Sequence, residues 1–151
     1  MKKSIVTFVL MLSLSLTSVF ANNEEGVSLK ATAAFKKDFN GALNVKWDAG
    51  KEFSKATFEL NGQVMFAYYS IEGDLIAVTR NISSTQLPFK LLSEIKHSYK
   101  QSWITDLFEI SSNGETTYYV TLENQDVKTI LKSNGAAGWV QFKKEKKVSE
   151  Q

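Results

Sequence analysis

The sequence predicts an α+β fold, a mostly antiparallel sheet with two helices packed on one face. Two features carry that prediction. Asn61-Gly62 and Asn113-Gly114 each stand between β-prone runs. Asn-Gly is the strongest short-range hairpin signal, because a type I′ turn needs φ > 0 at both central residues. The two turns also have similar surroundings. Phe58-Glu59-Leu60 and Phe108-Glu109-Ile110 lead in, Tyr68-Tyr69 and Tyr118-Tyr119 lead out, and Trp47 and Trp103 precede them. A stretch of helical period stands ahead of each. The reading is a duplicated helix–hairpin–strand unit, over about 29–81 and 87–134.

Residues 1–21 have the pattern of a secretory signal peptide. Lys2 and Lys3 form a basic start, residues 5–16 an apolar centre and Val19-Phe20-Ala21 a small-residue cleavage site. The apolar run is shorter than the ~20 residues a membrane span needs. The chain has no Cys, so no lipid-anchored cysteine follows. The expectation is an exported protein, periplasmic or extracellular, with no transmembrane segment once the signal is removed. About 130 residues then remain, enough for one domain with one core.

Residues 22–28 are polar and read as a flexible N-terminal segment. Residues 29–40 follow helical periodicity, with Ala31, Phe35 and Phe39 on one face and Lys30, Lys36, Lys37 and Asp38 on the other. Gly41 suits the stop. Strand character begins at Asn44. Residues 53–60 and 63–70 form the first hairpin, and residues 75–81 a third strand. Pro88 suits a first helical turn, where its missing N–H costs nothing. Residues 89–101 form the second helix, with Leu92, Ile95 and Tyr99 as its stripe. Residues 103–111 and 115–123 form the second hairpin, and 127–133 the matching strand. A break at 135–138 leads to a short strand at 139–142, and 143–151 reads as a polar tail. The domain is thus expected over 29–142.

Two-residue turns fix both registers. Leu60 pairs with Gln63, Phe58 with Met65 and Ala56 with Ala67; Ile110 pairs with Thr117 and Phe108 with Tyr119. Phe58, Met65, Phe108, Ile110 and Tyr119 are assigned to the core face. Lys55, Phe66, Tyr68, Glu109, Tyr118 and Val120 then fall on the face away from the helices. Aromatics among Thr, Lys and Glu are what a protein-binding surface looks like, and these six residues are the candidate site. Packing among themselves is the structural alternative, with Tyr69 and Tyr119 in reserve if the faces exchange.

Catalytic chemistry finds no foothold. His97 is the sole histidine and lies among polar residues of the second helix. General-base and triad chemistry need a positioned partner, and no Gly-x-Ser-x-Gly elbow is present. One His and no Cys do not make a zinc site. Asp106 and Glu109 fall on opposite faces of a strand, so they do not converge as paired carboxylates. No metal or cofactor is expected. The formal charge of +2 includes Lys2 and Lys3, so the chain without its signal is formally neutral, which argues against a nucleic-acid partner.

A leading Trp, two hairpins ending in Tyr-Tyr, and Asn81-Ile82-Ser83 running to Leu87-Pro88 before a helix form a distinctive set. By it, residues 30–142 resemble the PepSY-like, or β-lactamase-inhibitor-protein-like (BLIP-like), domains, which are small exported bacterial proteins. The resemblance implies a duplicated α+β unit with an open, concave sheet surface and an inhibitor or binding role. The true inhibitors carry disulfides and this chain has no Cys, so the architecture carries over and the target does not. The function expected is a non-catalytic exported module that engages a protein or peptide through the exposed sheet face. The alternative is a sensor or carrier of a small apolar ligand held between helices and sheet.

Overall fold

A computed structural model describes residues 26–147. The expected signal peptide, most of the N-terminal segment and the last four residues lie outside them. The elements run α1 (Leu29–Asp38), β1 (Leu43–Ala49), β2 (Phe53–Leu60), β3 (Gln63–Ser70), β4 (Leu75–Asn81), a 3-10 turn (Ser84–Gln86), α2 (Phe89–Ser98), β5 (Trp103–Ser112), β6 (Glu115–Glu123), β7 (Val127–Ser133) and β8 (Val140–Lys146). The eight strands form one sheet in chain order, antiparallel throughout.

Both Asn-Gly turns form as their chemistry requires. Asn61 and Gly62 have φ of 53° and 75°, and Asn113 and Gly114 of 52° and 78°. The registers follow: Phe58 faces Met65, Leu60 faces Gln63 and Phe108 faces Tyr119. Ser28 caps α1 by accepting from the Lys30 N–H at 3.2 Å. Pro88 stands one residue ahead of α2, at its N-cap.

Each helix covers part of the same sheet face. Ala31 and Phe35 of α1 pack on Trp47, Ala56, Phe58, Ala67 and Tyr69. Phe35 meets Phe58 edge-on, with ring centres 4.9 Å apart. Leu91 and Ile95 of α2 pack on Leu107, Val120, Leu122 and Leu131. Burying each large apolar side chain contributes about 1.5–3 kcal/mol before entropy is counted. The segment between β7 and β8 folds over α2: the Trp139 indole N–H donates to the Leu91 carbonyl at 2.9 Å, and the Lys90 ammonium donates to the Ala136 carbonyl at 2.8 Å.

Four strands follow α1 and four follow α2: the expected hairpin and strand, with β1 ahead of the first set, where strand character was expected from Asn44, and β8 behind the second, where a short strand was expected. The elements correspond at an offset of 60 residues. Helix starts, helix ends and the starts of β1 and β5 all keep that spacing. Burial over residues 31–40 repeats residue for residue over 91–100. On this alignment Trp47 matches Leu107, and Trp103 matches Leu43. The first Asn-Gly turn joins the second and third strands after its helix, and the second joins the first and second. The two turns are therefore not equivalent, and the Trp pair is not either.

That one-strand difference inverts the faces of the second hairpin. The helix face carries Glu109 with Tyr118 and Leu107 with Val120; the other carries Phe108 with Tyr119 and Ile110 with Thr117. The second hairpin is apolar on both sides, so its composition did not say which side meets the helix. The C-terminal strand also runs to Lys146, so 143–146 belong to the sheet and not to a polar tail. Lys143, Lys144 and Lys146 there are all exposed, as befits an edge strand.

Candidate functional site

The helix-free side of the sheet carries a third apolar cluster. Tyr68, Ala77, Ile110 and Tyr119 are buried at its floor, each at most 5% exposed. Phe53, Phe66, Phe108 and Phe142 are half-buried around them. Register places the set on one face: Tyr68 opposes Ala77, Phe66 opposes Thr79, Thr79 opposes Ile110, and Phe108 opposes Tyr119.

Residues on this face, which no helix covers, are buried beneath the aromatic side chains packed against them. Register shifts interrupt β1–β2, β3–β4, β5–β6 and β7–β8. Such bulges bend strands and increase their twist. The shift in β7–β8 turns Phe142 onto Tyr119, edge-on at 5.7 Å. Phe108 stacks on Tyr119 at 5.3 Å, and Phe53 meets Tyr68 at 5.9 Å. The result is an aromatic trough whose floor is buried and whose phenylalanines reach solvent.

Two lysines border the trough, one in an ion pair and one over an aromatic ring. Lys55 pairs with Asp48 at 3.0 Å, and the Lys132 ammonium lies 5.6 Å from the centre of the Phe142 ring. The Tyr68 hydroxyl shares a hydrogen bond with Thr79, and burial pushes its pKa up to about 12. Burial also raises Tyr119. These phenols stay protonated at neutral pH and can act only as hydrogen-bonding groups. Asp106, further along the same face, is raised by burial, against lowering by a hydrogen bond from the Leu107 backbone and by Lys128.

The six sequence candidates divide between the two faces. Lys55, Phe66 and Tyr68 belong to the trough. Glu109, Tyr118 and Val120 belong to the helix side, for the reason given for the second hairpin. Glu109 accepts from Arg80, Tyr118 packs beside the α2 core, and Val120 is fully buried in it. Sequence reasoning missed Phe53, Phe108 and Phe142 as members of the trough. Phe108 and Tyr119, assigned by the sequence to the helix face, lie on the helix-free face instead. Phe142 was hidden by the bulge, which no residue pattern announces.

No group of three or more His, Cys, Asp or Glu among the described residues could hold a metal ion. His97 is exposed on α2. No described helix is long and apolar enough to cross a membrane.

The fold has close counterparts among solved structures. A BLIP-like protein from Bacteroides fragilis superposes with a TM-score of 0.68 at 19% identity, over 82% of this chain and 89% of that one. A protein from Bacteroides eggerthii whose name proposes a periplasmic location gives 0.68 at 10% identity, over 80% and 88%. A DUF2874 family protein from Bacteroides ovatus gives 0.66 at 15% identity, over 78% and 85%. No family model matches the sequence, and no curated protein does. These likenesses bear out the BLIP-like architecture as a fold; none of the three is named PepSY-like.

Proposed function

We propose that the protein is a non-catalytic exported binding module that engages a protein or peptide through the helix-free trough. The observation that carries this reading is the aromatic floor. Phe53, Phe66, Phe108 and Phe142 stand half-exposed on a fixed bed of Tyr68, Ile110 and Tyr119. Rigid aromatics with little rotamer freedom to lose make good interface anchors. An inhibitor-like role is supported by the fold shared with a BLIP-like protein. Export is supported by the leader pattern of residues 1–21 and by the periplasmic location proposed in the name of one structural neighbour.

The test is capture from an envelope extract of the source organism. The bait is the protein, and the control is its Phe66→Ser/Phe108→Ser variant, with the fold of both checked by circular dichroism. A partner held by the protein and lost by the folded variant supports the reading. A partner held equally by both removes the trough from recognition.

A further inference from the structure

A second site lies on the other side of the sheet. Between the C-terminal half of α2 and the start of β5 is an open groove of about 420 Å³. Leu92, Ile95, Tyr99 and Ile104 line it, and Lys96 and Lys100 stand beside them. The volume falls within the roughly 300–1,000 Å³ of small-molecule sites, which combine apolar walls with a few polar groups. Neither lysine has a carboxylate partner among the described residues.

The corresponding place after α1 shows what the fold itself requires. Sixty residues earlier stand Thr32, Asn40 and Asn44 in the positions of Leu92, Lys100 and Ile104. The fold tolerates polar side chains at the first two; at the third, Asn44 has a left-handed φ of 54° that Ile104 does not share. Replacement of the three by two apolar residues and a cation is confined to the second unit. Lys96 has its counterpart in Lys36 and sits in the last helical turn, where a cation favours the helix dipole. Lys100 lies beyond the C-cap residue Tyr99 and has no such role.

We propose that this groove binds a small amphiphilic carboxylate of the medium-chain acyl class. The chain would lie along Leu92, Ile95 and Ile104, where apolar burial drives binding. The carboxylate would be held between Lys96 and Lys100 by charge-assisted hydrogen bonds. The assignment is independent of the trough, since the groove lies on the helix side, and either can fail without the other.

The test is titration of the protein with decanoate, followed by amide chemical shifts, with decanol and acetate as comparison probes. Saturable shifts over residues 92–104 are expected. Lys96→Gln/Lys100→Gln should weaken decanoate roughly tenfold or more while leaving decanol unchanged. Both lysines are exposed, so that variant keeps its fold. Leu92→Thr/Ile104→Asn, which copies the first unit, should lose both ligands. No saturable shift, shifts centred on the trough, or equal decanoate affinity in the lysine variant would each overturn the assignment.

Discussion

Asp106 shows most plainly how single residues trade stability for position. Its carboxylate is half-buried on the trough face, and burial raises its pKa despite the Leu107 backbone hydrogen bond and Lys128. A raised folded-state pKa means that the ionised form is the destabilised one. The contribution is favourable below the unfolded pKa and is lost as pH rises through the folded value. Asp106→Asn should therefore raise the melting temperature at pH 7, and the gain should vanish below about pH 4, near the ordinary carboxylate range. Thermal unfolding of both proteins at the two pH values checks this; a gain that persists in acid would mean that burial of the charge is not the cause. The Asn-Gly residues mark the other end of legibility. A left-handed backbone at two adjacent residues is a local demand that only a few residue types meet, so both turns and both registers were readable from four letters. Which side of a strand meets a helix is not a local demand. Phe108 and Leu107 are equally suited to burial, and both are in fact packed.

At the level of elements, the two four-strand units meet between β4 and β5. Arg80 of β4 opposes Glu109 of β5 on the helix face and also donates to the Gln63 side chain of β3 at 2.6 Å. This polar strip separates the α1 core from the α2 core. The pair is only partly exposed, at 31% and 16% for the two side chains. Removing one partner should leave a half-desolvated charge behind. Arg80→Met should thus destabilise by about 1–3 kcal/mol, and adding Glu109→Leu should restore part of that loss. Urea unfolding of the single and double variants reads the coupling; strictly additive losses would show that the ion pair carries no net stabilisation. The helices were legible from their i, i+4 apolar stripes, although both end a few residues earlier than expected, at Asp38 and Ser98. β1 was seen only in part and β8 was cut short at Phe142. β1 alternates apolar and polar residues from Leu43 to Ala49, so its full length was readable, whereas β8 loses alternation in Lys143-Lys144-Glu145-Lys146 and gave no strand signal past Phe142.

The strands of the described residues form a single antiparallel sheet with apolar clusters on both sides. One side is divided between two helices; the other is an aromatic trough that buries its own floor. The fold class was legible because hairpin and helix signals alternate along the chain. The trough was legible only in Lys55, Phe66 and Tyr68, because its other half depends on counting strands across the gap between the two units. Sequence similarity between β2–β3 and β5–β6 pointed to an equivalence that the strand order does not keep.

The central claim is that recognition belongs to the helix-free face. Its most direct measurement places a photo-crosslinking benzoylphenylalanine at one exposed position on each face. Val64 lies on the trough side and is 55% exposed. Ser111 opposes Val78 on the helix side and is also exposed. After irradiation in envelope extract, a discrete crosslinked product from position 64 and none from position 111 is the predicted result. A product from position 111 alone would place the partner on the helix side and contradict the account.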